Sequence, residues 1–215
     1  VMVLYSCSAT ASSASGRMFG AAKPSLDDTR MHATKPPVGP QVSAGRAAPV
    51  GVSPQRLAEA LAWARARYRR CDVCAEACGV DRLAGPGSPL GRCGLGEHGR
   101  VYKEYLHLGE ERLLVPSHTI YLSGCNLRCV FCSDRDAVVH PDAHGVLATP
   151  ESVARRIARR RREGAVNVQF VGGVPDVNLL YILKILERCP PDTHVVWNTN
   201  LWSTPEAIDR LAGIV

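Results

Sequence analysis

The residues best equipped for chemistry in this chain are cysteines, and they fall into two sets. Cys125, Cys129 and Cys132 sit in SGCNLRCVFCSD, residues 123–134, with the spacing C-x3-C-x2-C. A structural zinc takes four ligands and disulfides use cysteines in pairs, so a local set of three needs its own explanation. Three thiolates can wrap one face of a [4Fe–4S] cluster, which ordinarily takes four. The iron left without a thiolate then keeps a position open to substrate or cofactor, as catalytic zinc keeps an open site. The competing readings are a zinc site completed by His118 or Asp134, and three unrelated thiols.

The second set is Cys71-x2-Cys74-x3-Cys78 followed by Cys93, joined by glycine-rich connections. Four thiolates suit either a closed tetrahedral zinc or a fully ligated iron–sulfur cluster, serving structure or electron relay. His98 could stand in for a cysteine, but reads better as a loop surface residue. Of the remaining cysteines, Cys7 lies in the N-terminal tail, where a lipid anchor is the alternative to a free thiol. Cys189 ends a helical pattern as an ordinary half-buried thiol. The N-terminus VMVLYSCSATASSASG lacks a basic n-region and its apolar run is very short, so no signal peptide is expected. Without export, cysteines read as metal ligands or reduced thiols, and the expected location is cytoplasmic.

The elements that must position these cysteines follow from periodicity and caps. Residues 1–52 are rich in Ser, Ala, Gly and Pro and read as disordered linker. Ser53-Pro54 opens a helix whose Leu57, Leu61, Ala64 and Tyr68 recur at helical spacing. Residues 53–113 then form a helix plus a Cys-rich loop segment, with a strand or hairpin at 101–113. From 114 the pattern becomes strand, loop, helix, repeated: strands at 118–124, 166–173 and 194–200, helices near 149–164, 178–189 and from Thr204. Such alternation predicts an α/β fold of parallel strands with crossover helices. In such folds working loops follow the carboxyl ends of strands, which is where Cys125, Cys129 and Cys132 fall.

The net charge is +6 and the pI near 8.9, but the basic residues are scattered except in ARRIARRRREG, residues 154–164. That run lies on an amphipathic helix and reads as a solvated face rather than a nucleic-acid contact. No stretch approaches the length of a membrane span. His140 and His144 read as solvated loop residues.

The C-x3-C-x2-C motif with Phe131 before its last cysteine resembles the radical S-adenosylmethionine (SAM) superfamily. The resemblance implies a [4Fe–4S] cluster whose open iron is chelated by SAM, and reductive cleavage of SAM to a 5′-deoxyadenosyl radical. It implies the N-terminal part of a partial (βα) TIM-like barrel, preceded by the small Cys-rich loop domain. Phe131 matches the aromatic position that packs near the adenine. Gly172 and Gly173 match the Gly-Gly-Glu-like strand end that contacts the methionine amino group, with Val174 in place of the acid. That leaves amino-group recognition to backbone oxygens or to Asp176. The stretch WNTN resembles the Asp-Thr-Asn-Gly segment of pyruvate formate-lyase activating enzymes, making Asn198, Thr199 and Asn200 site candidates, with strand-end turn residues as the alternative. CDVCAEACGVDR, GRCGLGEHGRV, HLGEE and TIYLSGCNLRCVFC look like an uncharacterised branch related to those enzymes, from about Cys71 onward. That branch implies a flavodoxin or ferredoxin as electron donor and a glycyl-radical protein as substrate. The alternatives are radical-SAM modification of RNA or a small molecule, and a non-catalytic zinc-binding interaction module. No second cluster domain fits between Cys132 and Thr149, which argues against the activating enzyme proper. Three strand–helix units do not close a barrel, so the sequence is expected to be a fragment, the missing part carrying further cofactor contacts and most of the substrate pocket.

Overall fold

In a computed structural model, residues 2–4, 52–109 and 111–215 are described, and all of them fall in one compact unit. Six strands make one sheet: β1 (Met2–Leu4), β2 (Arg100–His107), β3 (Ser117–Leu122), β4 (Val146–Leu147), β5 (Asn167–Gly172) and β6 (Val195–Thr199), in the order β1-β6-β5-β3-β2-β4. The helices are α1 (Pro54–Tyr68), α2 (Arg135–Val139), α3 (Pro141–His144), α4 (Pro150–Arg162), α5 (Leu179–Leu186) and α6 (Pro205–Leu211). β3, β5 and β6 run parallel, as the alternation of strands and helices predicts, and β1 pairs with β6 in parallel as well. β2 pairs antiparallel with both β3 and β4, so the sheet is mixed. Among the described residues the sheet is open and does not close into a barrel.

Three helices start on the same chemistry. Ser53, Thr149 and Thr204 each accept a backbone N–H three residues on, with proline at the next position, where its missing N–H costs nothing. The expected single helix at 178–189 is shorter and begins as a 3₁₀ turn, Pro175–Asn178, before α5.

One face of the sheet carries the main core. Ile120, Leu122, Val168, Phe170, Val195 and Trp197 pack there against α1, α4, α5 and α6, and the Phe170 and Trp197 rings meet edge to face. All four longer helices therefore lie on one side. The other face is polar: Ser117 donates to Asn167 at 2.6 Å, Thr119 donates to Gln169 at 3.2 Å, and Tyr105 stacks on Tyr121. The Cys-rich segment shares the main core through Cys71 and Val73.

The expectation of linker over 1–52 needs correction at both ends. Met2–Leu4 pairs with β6 in parallel register, Met2 with Trp197 and Leu4 with Thr199. An open parallel edge presents unpaired N–H and C=O groups that a short apolar segment can satisfy. Val52 is core, and its N–H donates to Pro191. The rest of that range, Cys7 included, lies outside the described residues.

Candidate functional site

The loop after β3 is held by backbone hydrogen bonds on both sides. Ser123 N–H donates to Arg100, Gly124 N–H to Val138, Gly173 N–H to Leu122 and Val174 N–H to Gly124. Gly124 has φ +89, and a Cβ there would overlap the Leu95 side chain and stand 3.2 Å from the Cys93 carbonyl oxygen. The loop can follow this path only with glycine at its start. Cys125 is then buried, while Cys129 and Cys132 are half-buried. The turn between them closes through Cys132 N–H to the Cys129 carbonyl at 3.2 Å, and Arg135 clamps it by donating to the carbonyls of Arg128 and Cys129, both at 3.1 Å. Phe131 is 67% exposed, beside exposed Val130 and Leu127. All three cysteines are free thiols.

Asn126, fully buried, holds the three-cysteine loop in place and was not singled out by the sequence reading. Its Nδ2 donates to the Trp202 carbonyl at 3.1 Å, its Oδ1 accepts from Asn200 at 3.0 Å, and its carbonyl accepts from Arg92 Nε at 2.7 Å. One residue thus ties the three-cysteine loop to the end of β6 and to the Cys-rich segment. Its place beside Cys125 in the quoted motif was the available signal.

Gly172 and Gly173 stand at the carboxyl end of β5, as expected, but their small size serves the protein's own backbone. A Cβ on Gly173 would overlap the Gly124 carbonyl oxygen, and one on Gly172 would press on the backbone of Leu122. Asp176 is buried; its Oδ1 accepts from Ser203 Oγ at 2.5 Å while Oδ2 has no partner. It lines a pocket of about 160 Å³ with Trp197, Thr199 and Leu211. Asn178 donates to the carbonyls of Ser123 and Val174, leaving its own Oδ1 and the Ser123 hydroxyl as buried unpartnered oxygens at the same end of the sheet. At the end of β6, Thr199 Oγ1 accepts from Leu201 N–H and Asn200 Oδ1 from Trp202 N–H, so both shape the turn, and Asn200 also reaches Asn126. Asn198 is half-buried and paired with Val3.

The four cysteines of the other set are divided between two apolar clusters and the surface. Cys71 belongs to the main core, whereas Cys74 and Cys93 share a small apolar cluster with Cys125, Val138, Val174 and Val177, and Cys132 packs against it. Cys78 is exposed, its sulfur accepting from Arg92 N–H at 3.4 Å. Burial raises the Cys71 thiol above its ordinary range, opposed by the Arg82 charge and the Val73 N–H. Burial likewise raises Cys74, opposed by the Glu76 N–H and the Asn126 side chain. Among the described residues no three Cys, His, Asp or Glu side chains come together in a geometry that would hold a single metal ion.

His118 does not complete a zinc site. It lies at the amino end of β3, buried, with Nε2 3.3 Å from Glu104. Asp134 is the residue preceding α2, and with Cys132 it raises the Tyr102 hydroxyl beyond what burial does first. His98, His140 and His144 are exposed. Cys189 is half-buried, and burial pushes its thiol up to about 11. On α4, Arg156 pairs with Glu104, Arg160 with Glu163 and Arg161 with Asp192, so much of that basic face is neutralised within the protein. Among the described residues no helix is long and apolar enough to cross a membrane.

Residues 119–214 match the family described as Radical SAM superfamily. The chain is 38% identical over 169 residues to an uncharacterized protein of Methanocaldococcus jannaschii, an alignment covering 76% of this chain and 48% of the relative. The chain thus spans about half the length of the curated relative it matches. No solved structure matches. The matched segment begins inside β3 and contains the whole three-cysteine loop, Gly172, Gly173 and the end of β6. The donor set suits the iron–sulfur cluster that this family carries: three free thiols on one loop, one at its floor and two at its half-open rim, consumed by no disulfide.

Proposed function

We propose that this chain carries the cluster- and SAM-binding part of a radical SAM enzyme, with Cys125, Cys129 and Cys132 as the ligands of a [4Fe–4S] cluster. When bound, the reduced cluster and SAM supply a 5′-deoxyadenosyl radical that abstracts a hydrogen atom from substrate. The chain's own residues provide placement. Gly124 lets the loop leave β3 against Leu95, Arg135 fixes the Cys129 turn, and Asn126 anchors the loop to the end of β6. Phe131, exposed beside the half-buried thiols, is available to pack against an adenine. The buried oxygens of Ser123 and Asn178 are acceptors for an amino group where the family's acid is replaced by Val174. Asn198, Thr199 and Asn200 remain the contacts proposed on β6, and the helical cover on one side of the sheet suits a segment of a (βα) barrel.

The observation that carries this reading is the C-x3-C-x2-C set of free thiols at the carboxyl end of a parallel strand, inside the matched segment. Activation of a glycyl-radical protein, with flavodoxin or ferredoxin as electron donor, rests on the resemblance of the Cys71–Cys132 motifs to that branch. The test is anaerobic reconstitution, reduction with SAM present, and chromatography of products. Wild type is expected to show a cluster's paramagnetic signal and release 5′-deoxyadenosine and methionine; Cys129→Ala is expected to show neither. Equal 5′-deoxyadenosine from both proteins would refute the reading.

A further inference from the structure

Arg128 stands immediately before Cys129 in the three-cysteine loop, with φ +54. Glycine takes this left-handed region readily; a long side chain does so only under strain, because its Cβ crowds the following carbonyl. The conformation is held from outside. Arg135 Nη1 donates to the carbonyls of Arg128 and Cys129, both at 3.1 Å, and a relaxed backbone would forfeit these bonds.

No contact of the Arg128 side chain offsets the strain. Among the described residues it forms no ion pair and donates no hydrogen bond, and its Nε is buried without a partner. A buried donor left unsatisfied is costly, more so on a charged group. The other arginine Nε in this condition, on Arg160, belongs to a guanidinium already paired with Glu163. Acids close in the fold or the sequence do not serve Arg128 either: Glu76 lies 3.7 Å from Arg92, and Asp134 acts on the Tyr102 hydroxyl. Two costs, a left-handed backbone and a stranded donor, therefore fall on one residue inside the motif. Strain of this kind persists where the surrounding structure imposes it, and it gathers at ligand clamps.

We propose that Arg128 binds the carboxylate of S-adenosylmethionine at the rim of the cysteine loop. The inference rests on the function proposed above and adds to it a residue that neither the motif nor the family match assigns. Guanidinium is always charged and presents a planar fork that fits a carboxylate through two parallel hydrogen bonds. The position suits a ligand that arrives from solvent: Arg128 is half-buried, next to half-buried Cys129 and between exposed Leu127 and Val130. The Ser123 and Asn178 oxygens are acceptors for the amino end of the same molecule, and Arg128 supplies the opposite charge for its carboxyl end. Because Arg135 already fixes the backbone, the guanidinium is placed before the ligand binds, which lowers the ordering cost of binding.

The test uses the full chain, reconstituted anaerobically with its cluster and left unreduced so that no turnover occurs. SAM and decarboxylated SAM are titrated by calorimetry into wild type, Arg128→Met, Arg128→Lys and Arg128→Gly. Arg128→Met keeps the stem and removes the charge; it is expected to bind SAM about tenfold or more weakly and decarboxylated SAM as wild type does. Arg128→Lys is expected to recover part of the loss, keeping charge without the fork. Arg128→Gly relieves the left-handed strain, so it is expected to lose SAM affinity as Arg128→Met does while unfolding at no lower a temperature than wild type. Unchanged SAM affinity in Arg128→Met, or an equal loss for both ligands, overturns the carboxylate contact. An Arg128→Gly chain that unfolds earlier yet binds SAM normally makes the residue structural and overturns it too. A wild type that holds no cluster or takes up no SAM overturns the proposed function and this inference together, so the two failures are told apart by the wild type alone.

Discussion

The two cysteine regions face each other across Gly124 and are built in opposite ways. Around Cys71–Cys93 the sulfurs are mostly buried, donors point at them, and Arg82, Asn126 and Trp202 lock the segment to its neighbours. Around Cys125–Cys132 only Cys125 is buried, the clamps act on backbone carbonyls rather than sulfur, and Leu127, Val130 and Phe131 face solvent. The first arrangement spends its hydrogen bonds on holding sulfur still. The second holds the backbone still and leaves sulfur and apolar side chains reachable, which is what a site that must admit a cofactor requires. On the proposed function, the contrast separates a region that would support from a region that would work.

The strongest way to break this comparison is to damage the join. Gly124→Ala puts a side chain at φ +89 and into Leu95, and is expected to cost about 3 kcal/mol in thermal or urea unfolding, from overpacking and left-handed strain together. A variant as stable as wild type would mean the two regions are not coupled through this contact. Asn126→Ala is next: it removes a fully buried side chain together with its hydrogen bonds to the Trp202 carbonyl and the Asn200 amide, and about 2 kcal/mol is expected. The same variant should raise alkylation of buried Cys74, read by mass spectrometry, because the Asn126 side chain is among the groups that act on that thiol; unchanged protection at Cys74 would remove Asn126 from the link.

A smaller effect comes from the far end of β3, where Glu104 meets His118 and Arg156. Burial acts to raise the Glu104 carboxyl, but the His118 hydrogen bond and the Arg156 charge outweigh it and leave it below its ordinary value of 4.5. A lowered folded value means the ionised form favours the folded state. That stabilisation is fully present above pH 4.5 and is lost as pH falls through the lowered value. Glu104→Gln is therefore expected to flatten the acid limb of a stability–pH profile, with the cysteine loop at the other end of the strand unaffected; an unchanged acid limb would contradict this. The smallest stability effect belongs to Phe131→Ala, within about 0.5 kcal/mol because the ring is mostly exposed. Its expected consequence is weaker SAM binding, measured by calorimetry on the reconstituted protein, and unaltered SAM affinity would take Phe131 out of the site.

Local chemistry was legible in the chain alone. The Ser53, Thr149 and Thr204 caps, the three parallel strands and the place of the cysteine loop after the first of them depend on neighbours within a few residues, and these emerge as expected. The motif spacing pointed to the family that residues 119–214 match. Contacts between segments distant in sequence were decided only by tertiary structure. Asn126 looks like any loop asparagine until the chain brings Trp202 and Arg92 to it, and Arg82 looks like a surface arginine until Tyr68 and Gly96 close over it. Gly173 reads as room for a ligand, whereas the fold fills that room with the Gly124 carbonyl. Met2–Leu4 reads as tail because three residues cannot signal a strand; an open edge on β6 makes them one. Caps and periodicity are written in adjacent residues, but burial, counter-charge and close approach are properties of pairs far apart in the chain, and only folding selects which pairs meet.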